Sequence, residues 1–240
     1  ISPGILKIPH LRSFLEADGS KVVPLWRLGQ KGYDCLAGWG ERGTSERVRD
    51  FCSKEGIPYL SLEDGFFRSY AVGRAGEPSA SMRIDPFGTY YAPGNNAIHK
   101  TLRNPGTIKL AELERARRCI AQIQAEKLSK YNNGAIGLRA QSLMSALPER
   151  FVLIADQVLG DAALNYAHRD EFISVVVSAH TEASEKGLPI VIRLHPETLS
   201  GERRGIIFEE INKGTFQFLG PRGIAWSTFS APVNPYELFE

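Results

Sequence analysis

The chain has 240 residues, a formal net charge of +2, and a share of hydrophobic residues that is ordinary for a soluble globular protein. This length allows one large domain or two modest ones, and the nearly balanced charge does not favour nucleic acid as a partner. No apolar run approaches the roughly 20 residues that cross a bilayer, and the first residues lack the layout of a signal peptide. We expect a cytoplasmic protein, with peripheral contact to a membrane left open.

Cys35, Cys52 and Cys119 form an odd, widely spaced set without a C-x-x-C pair. Such a set indicates reduced, unpaired cysteines, as in the cytosol, and argues against a structural zinc site.

The first half of the chain predicts a strand–helix–strand unit. We expect Thr44 or Ser45 to be the N-cap of its helix and Gly56 to end it. Gly, Pro and Asn then cluster in a turn-rich passage, and apolar residues at helical spacing predict a long, partly exposed helix that NNGAIG breaks. The ranges are a strand at 34–40, a helix at 45–56, a strand at 57–65, turns at 70–107 and the long helix at 108–131.

The second half repeats the alternation, with strands over residues 151–157 and 189–196 and a helix between them over residues 169–187. Asp170 can cap this helix and Gly187 can end it. Because crossover connections are right-handed by strong default, the two strands should be parallel, with their carboxyl ends on the same rim. The pattern predicts an α/β protein of two Rossmann-like halves, the second with only two clear strands.

Polar side chains follow three of the predicted strands, and in open α/β sheets ligands bind outside the carboxyl ends of the strands. If the last two strands are neighbours, their ends lie roughly 5 Å apart, so that one small ligand could touch both. These candidate residues are Glu63 and Asp64, then Asp156, Gln157 and Asp161, and finally His195.

Each candidate also has a purely structural interpretation. Asp156 or Asp161 can cap a helix or turn, and His195 before Pro196 can close a turn. Glu63 and Asp64 can pair with Arg68, which contributes only about 0–1 kcal/mol if the pair is exposed. Two further segments, Trp39–Gly40 and residues 129–134, can be core and turn. Glycine-rich phosphate loops of the GxGxxG and Walker types, the GxSxG elbow and HExxH are absent, although helix N-termini can still bind phosphate.

Taken in order, the motifs resemble the retaining β-Kdo transferases of Gram-negative capsule assembly, which build a poly-Kdo linker on a lipid (Kdo is 3-deoxy-D-manno-oct-2-ulosonic acid). The two most specific are LEDGFFRS and DQVLGD. The full set is SPGILKIPHL at 2–11, GWGER at 38–42, LEDGFFRS at 62–69, IDPFGTYYA at 84–92, SKYN at 129–132, DQVLGD at 156–161, RLHPE at 193–197, GERRG at 201–205 and VNPYELFE at 233–240.

The resemblance implies a GT-B-like architecture of two Rossmann-type lobes facing a cleft. It implies an acceptor-side lobe at residues 1–145 and a donor-side lobe at residues 146–240. It also implies CMP-β-Kdo as donor, a glycolipid or Kdo-terminated acceptor, no cofactor, no metal, no nucleic acid, and a cytoplasmic location with peripheral contact at the inner membrane.

The resemblance also implies roles for individual residues. Asp161, the acid of the Q-x-x-x-D stretch that begins at Gln157, is the expected nucleophile, and Asp156 orients its neighbours. Glu63 and Asp64 would bind the acceptor or activate its hydroxyl. His195 would bind the CMP phosphate. Lys130, Tyr131 and Asn132 would bind the Kdo carboxylate or form the cleft wall. The other residues expected to contact substrate are Arg193, Pro196, Arg68, Trp39 and Gly40.

The chain departs from the family pattern in three places. Ala92 replaces an acid after the paired tyrosines, and Glu197 replaces the usual Asp after His-Pro. The sequence also stops before the family's T-S-x-x-G-F-E-A-L element, whose helix N-terminus should cradle the CMP phosphate, so we expect an incomplete second lobe. Two rival hypotheses follow: a glycan-binding or docking module that has lost donor binding, and a GT-B-like nucleotide-sugar enzyme such as an epimerase.

Overall fold

The structure of the chain is a computed structural model that describes residues 5–16, 18–23, 33–41, 43–71, 77–94, 96–166, 169–215 and 226–239. The fold is mixed α/β and divides into two compact units, Ile1–Asn133 and Gly134–Glu240. Each unit has its own three-stranded sheet. Within the described residues, every helix is too short or too polar to span a lipid bilayer.

The first unit is built on a sheet in which β1 pairs parallel to β2, and β2 pairs antiparallel to β3. The predicted strand–helix–strand unit is confirmed. The elements are a 3-10 helix Ile5–Lys7, α1 Leu11–Leu15, β1 Leu36–Trp39, α2 Gly43–Glu55, β2 Tyr59–Asp64, β3 Met82–Asp85, α3 Ala97–Arg103, a 3-10 helix Pro105–Thr107 and α4 Leu110–Ala125.

The sequence predicted a cap residue at the start of α2 and a glycine at its end. Gly56 follows the last helical residue with a φ of +65°, as a C-terminal glycine should. The prediction of Thr44 or Ser45 as N-cap is wrong, because α2 already begins at Gly43. The Ser45 hydroxyl instead donates to the carbonyl oxygen of Trp39 at 2.7 Å, which fastens the helix to the end of β1.

The turn-rich passage at 70–107 contains two elements that the sequence pattern did not reveal, β3 and α3. Asp85, only 1% exposed, connects them. Its carboxylate accepts hydrogen bonds from the backbone N–H groups of Phe87 and Ala97 and pairs with Arg83 at 2.9 Å. Burial tends to raise the pKa of Asp85, but the two backbone donors and Arg83 outweigh it and lower that pKa.

The long predicted helix is observed as α4, but it ends at Ala125, before the NNGAIG segment. Lys127 has a φ of +49°, so the chain leaves the helical path there. None of the residues of α4 is buried.

The second unit is built on three parallel strands in the order β4-β5-β6. The predicted parallel pairing of the strands in the 151–157 and 189–196 segments is confirmed. The elements are α5 Gly137–Met144, β4 Val152–Ala155, a 3-10 helix Ala162–Tyr166, α6 Arg169–Lys186, β5 Ile190–Arg193, α7 Pro196–Leu199, α8 Ile206–Asn212, β6 Trp226–Phe229 and a 3-10 helix Pro235–Leu238.

Two details of the second unit differ from the expectation. Asp170 lies inside the first turn of α6, so it is not the N-cap, whereas Gly187 ends this helix with a φ of +64°. The third strand, β6, was not predicted from its sequence WSTF. β5 therefore lies in the middle of the sheet. Ile190, Val191 and Ile192 are each at most 1% exposed.

Residues just after Asn133 pack with the second unit. Ala140 of α5 is fully buried in a cluster with Val191, Phe229 and Val233. A Cβ atom on Gly134 would lie 2.6 Å from the backbone nitrogen of Asn234, so the chain passes too close for a side chain there. The division between the two compact units thus falls before α5.

Candidate active site

In the second unit, the loop that carries the candidate acids follows β4, and His195 follows the neighbouring strand β5. The two strand ends are joined directly, because the N–H of Asp156 donates to the carbonyl oxygen of Arg193 at 2.9 Å. The sequence left open whether these two strands are neighbours, and in the structure they pair directly.

Asp156 is 5% exposed, and backbone donors surround its carboxylate. Oδ1 accepts from the N–H groups of Gln157 and Ile207, each at 2.8 Å, and Oδ2 accepts from the N–H of Phe208 at 3.2 Å. Two of these donors belong to the first turn of α8, whose N–H groups have no partner within the helix. Asp156 therefore caps a helix far along the chain, which suits a residue that orients its neighbours.

Asp161 lies half-buried at the other end of the same loop. Its Oδ1 accepts from the N–H of Ala163 at 2.9 Å, at the start of the 3-10 helix. Gly160, with a φ of +74°, turns the chain just before it. Gln157 is held by its backbone, since its carbonyl oxygen accepts from the N–H of Ile206 at 2.7 Å.

The GERRG segment lies against this loop. Val158 and Gly205 form an antiparallel bridge, and the guanidinium of Arg203 donates to the carbonyl oxygen of Gly160 at 2.6 Å. The same guanidinium donates to Glu197 at 3.2 Å. Arg203 thus connects the loop of Asp161 to the segment of His195. Arg203 was not among the site residues predicted from the sequence, although its GERRG motif belongs to the resemblance.

His195 is the N-cap of the short helix α7, and Pro196 is the first residue of that helix. The ring atom Nδ1 accepts from the N–H of Glu197 at 3.2 Å. An accepting Nδ1 in a neutral imidazole assigns the proton to Nε2, which makes that atom a hydrogen-bond donor. Arg193, at the end of β5, donates to the carbonyl oxygen of Val233 at 2.8 Å, and burial lowers its pKa.

In the first unit, the corresponding carboxyl edge carries Trp39 at the end of β1, Gly40 directly after it, and Glu63 and Asp64 at the end of β2. Gly40 has a φ of +56°. A Cβ atom there would lie 3.0 Å from Oε2 of Glu63 and 3.2 Å from the hydroxyl of Tyr91. Glycine at this position therefore allows both a left-handed turn and a close approach to the Glu63 carboxylate.

Glu63 is an acid of the first unit whose pKa lies above its ordinary value. Burial raises the pKa of Glu63, and the neighbouring charge of Asp64 adds to the increase. A hydrogen bond from the N–H of Asp64, the Tyr91 hydroxyl at 3.3 Å and the charge of Lys130 act in the opposite direction. Tyr91 was not singled out in the sequence, although it belongs to the IDPFGTYYA motif.

Asp64 is an ion-pair partner. Its Oδ1 lies 2.7 Å from Nε of Arg68, and the Ser79 hydroxyl donates to it at 3.4 Å. The alternative in which Arg68 pairs locally with the acids is therefore observed for Asp64.

The SKYN segment lies beside the LEDGFFRS segment. Ser69 and Tyr131 form a parallel bridge, and the N–H of Arg68 donates to the carbonyl oxygen of Lys130 at 3.0 Å. Asn132 closes this turn, since its Oδ1 accepts from the N–H of Ser129 at 2.8 Å and its backbone N–H donates to Tyr70. The Lys130 ammonium lies 5.7 Å from the centre of the Tyr131 ring.

The predicted residues thus form two clusters, one at the carboxyl edge of each sheet. Among the residues that the structure describes, no group of three or more His, Cys, Asp or Glu side chains could hold a metal ion.

Comparison with known proteins agrees with the motifs. Residues 34–218 match the model of a family described as capsule polysaccharide biosynthesis protein. The chain belongs to this family. The resemblance noted in the sequence is confirmed.

Curated members of the capsule biosynthesis family are similar along most of this chain. The capsule polysaccharide modification protein LipA of Neisseria meningitidis serogroup A is 30% identical over 240 residues, which cover 100% of this chain and 32% of that protein. The lipopolysaccharide-processing protein LpsZ of Rhizobium meliloti is 30% identical over 74% of this chain and 38% of its own length. The chain therefore spans about a third of the length of these relatives.

Two solved structures are similar in fold. KpsC of Thermosulfurimonas dismutans, described as a beta Kdo 2,4 transferase, is 30% identical with a TM-score of 0.80, over 99% of this chain and 69% of that one. A KpsC structure from the same organism described as a beta Kdo 2,7 transferase is 17% identical with a TM-score of 0.50, over 92% and 75% of the two chains. The second similarity shows the fold alone.

Proposed function

We propose that the chain is part of a retaining glycosyltransferase that transfers β-Kdo from CMP-β-Kdo to a glycolipid or Kdo-terminated acceptor during capsule linker synthesis. The observation that carries this proposal is the similarity to the KpsC beta Kdo 2,4 transferase, at a TM-score of 0.80 over nearly the whole chain. Several of the family's motifs, LEDGFFRS, DQVLGD and RLHPE among them, also lie at the carboxyl edges of the two sheets, where α/β proteins bind ligands. On this proposal the units are two Rossmann-type lobes of a GT-B-like enzyme, the first on the acceptor side and the second on the donor side.

The proposed first step uses Asp161 as the nucleophile. Its carboxylate attacks the anomeric carbon of Kdo, the bond from that carbon to the phosphate oxygen breaks, and CMP leaves with the electron pair. His195 would donate a hydrogen bond from Nε2 to the departing phosphate, a role that its accepting Nδ1 supports. Asp156 would act indirectly, because backbone N–H groups already occupy its carboxylate.

In the proposed second step, the acceptor hydroxyl attacks the same carbon and the ester bond to Asp161 breaks. The hydroxyl proton passes to Glu63, whose raised pKa suits a base better than the ion-paired carboxylate of Asp64 does. Two displacements restore the original configuration, so the product is β-linked. The Kdo carboxylate would be bound by Lys130, Tyr131 and Asn132.

The test is transfer by the whole protein that contains these residues, with CMP-β-Kdo and a Kdo-terminated acceptor. We expect a β-linked product and, without acceptor, a protein mass increased by one Kdo residue. An α-linked product would overturn the retaining mechanism. Acceptor binding without consumption of CMP-β-Kdo would instead support the glycan-binding alternative.

We also place the reaction at the cytoplasmic face of the inner membrane, where a lipid-linked acceptor and a soluble nucleotide sugar can meet. Fractionation of cells should recover the protein from cytosol and inner membrane. Recovery from the periplasm would contradict this location.

A further inference from the structure

Helix α4 of the first unit is exposed at every residue except Ile123, which is half-buried. It has 16 residues, none of them buried. Its start is well defined, because Oε2 of Glu112 accepts from the N–H of Lys109 at 2.8 Å in a capping box. Helices in globular proteins are normally stabilised by packing one face against a core, so a helix without a buried face calls for another explanation.

The Leu and Ile residues of α4, together with Ala116, nevertheless share one face. Leu110, Leu113, Ala116, Ile120 and Ile123 recur at intervals of three or four residues. Leu110 is 67%, Leu113 41% and Ile120 54% exposed. We call these five residues the α4 stripe. It is a side of an amphipathic helix that the described residues leave in contact with water.

Helix α3 adds to the apolar surface. Ile98 and Leu102 lie one turn apart on α3 and are 45% and 65% exposed. Only the 3-10 turn Pro105–Thr107 and a few residues on either side separate α3 from α4.

The same segment is strongly basic. Residues 97–127 contain seven Lys or Arg and three Glu, a net charge of +4, whereas the whole chain carries only +2. The positive charge of the protein is therefore concentrated here, and the remainder is slightly acidic. The basic residues are Lys100, Arg103, Lys109, Arg115, Arg117, Arg118 and Lys127.

We infer that this segment docks on an anionic lipid surface, with the α4 stripe buried at the level of the headgroups. An exposed apolar face combined with Lys and Arg on the rest of the helix is the pattern of a helix that lies in a membrane interface. In α4, Arg117 borders the stripe, and Arg115 and Arg118 lie on the other side of the helix. Lipid phosphates complement the +4 charge, and long basic side chains can keep their charged ends among the headgroups while their stems lie in the apolar layer. The inference does not depend on the proposed reaction.

The experiment is co-sedimentation of the 240-residue chain with vesicles. Vesicles of phosphatidylcholine and phosphatidylglycerol should bind the chain, vesicles of phosphatidylcholine alone should bind it much less, and added salt should release it. Leu113→Asp and Ile120→Asp should each weaken binding by at least about tenfold, because a charge would enter the apolar layer. Leu138→Asp is the matched control, since Leu138 is 85% exposed on α5 of the second unit.

A second pair of variants tests the charge. Arg117→Glu should reduce binding by roughly fivefold or more, because it replaces a positive charge near an anionic surface by a negative one. Arg139→Glu, an exposed residue of α5, should not. Circular dichroism and thermal unfolding of each variant show whether it is folded.

Several results would overturn the inference. The chain could ignore anionic vesicles, bind neutral and anionic vesicles equally, or lose binding as much with Leu138→Asp as with Leu113→Asp. Sedimentation velocity adds one more such result: a dimer that Leu113→Asp dissociates, without vesicle binding, would make the α4 stripe a contact between two copies of the chain.

Discussion

Asp156 and Asp161 lie in one loop, yet their carboxylates have different surroundings. Asp156 is buried and accepts three backbone hydrogen bonds, two of them from α8. Asp161 is half-buried and its Oδ1 accepts one hydrogen bond, from Ala163. A nucleophile must present a carboxylate oxygen to the substrate, and the surroundings of Asp161 suit that requirement better.

The first prediction concerns Asp161→Asn. The fold should be retained, because the amide oxygen of Asn can still accept the hydrogen bond from Ala163. Transfer should fall by several orders of magnitude, because an amide is not a competent nucleophile at the anomeric carbon. Intact mass should show no Kdo adduct, while CMP-β-Kdo still binds. A persisting adduct in Asp161→Asn that disappears in Asp156→Asn would reverse the roles of the two acids.

The second prediction separates the two ring nitrogens of His195. His195→Asn keeps an acceptor near Nδ1 for the N–H of Glu197 but loses the donor at Nε2, whereas His195→Gln keeps a donor near Nε2. A charged hydrogen bond contributes about 1.5–3 kcal/mol, so the Kd for CMP-β-Kdo should rise roughly ten- to hundredfold in the Asn variant. The Gln variant should lose less affinity for CMP-β-Kdo than the Asn variant.

Acceptor affinity is the control for His195. Both variants should bind acceptor as the parent does, because the residue is assigned to the donor alone. An equal loss for donor and acceptor would show that the change disturbs the fold of the second unit.

The third prediction uses the raised pKa of Glu63. Folding disfavours its charged form, so the carboxyl stabilises the fold fully only below its ordinary pKa near 4.5, and this contribution is lost as pH rises through the raised value. The stability of Glu63→Gln relative to the parent should therefore increase with pH across this range. Denaturant unfolding of both proteins at a series of pH values measures this difference in the free energy of unfolding.

The pH dependence of the reaction tests whether Glu63 is the base. If Glu63 is the base, the pH profile of kcat/KM should fall at acid pH with an apparent pKa above 4.5, the ordinary value for a glutamate. That limb should vanish in Glu63→Gln and persist in Asp64→Asn. A limb that persists in Glu63→Gln would assign the base elsewhere.

At the scale of elements, the start of α8 depends on a residue that precedes it by some fifty positions. Asp156 at the end of β4 accepts from the N–H groups of Ile207 and Phe208. We expect Asp156→Asn to lower the free energy of unfolding by about 1–3 kcal/mol, because the amide NH2 cannot accept the bond from one of these groups. Asp161→Asn is the matched control and should leave stability nearly unchanged. Equal stability of both variants would contradict the capping role.

The sequence predicted the elements whose signals are local. The parallel strand–helix–strand units of both halves were predicted because their strands are buried apolar runs and their helices end at Gly56 or Gly187. Strand β3, with the sequence MRID, was missed because charged residues occupy half of it. Its place depends on the buried carboxylate of Asp85, a tertiary interaction that no window of sequence reveals.

The candidate site shows the same limit. The positions of Asp161, His195 and Glu63 at strand ends followed from the alternating pattern. The link through Arg203 and the contact of Tyr91 with Glu63 did not, because each joins segments that are distant along the chain. Only the resemblance to a family drew attention to the GERRG and IDPFGTYYA segments in which these residues lie.

At the scale of the whole molecule, the proposed chemistry needs no metal. CMP is a good leaving group, and hydrogen-bond donors and helix dipoles can stabilise its phosphate. We expect EDTA to leave the transfer rate unchanged, measured as CMP release with saturating acceptor. Strict dependence on added Mg²⁺ or Mn²⁺ would count against the proposed function.

The contact between Gly205 and Asp156 restricts how this protein can change during evolution. A Cβ atom on Gly205 would overlap Oδ2 of Asp156, so any side chain there collides with the carboxylate that caps α8. Replacing Asp156 first leaves the helix N–H groups without their acceptor, and replacing Gly205 first forces the carboxylate away from them. Either replacement alone should lower the stability of the second unit, and a side chain at position 205 should be found only in descendants that have also lost the aspartate.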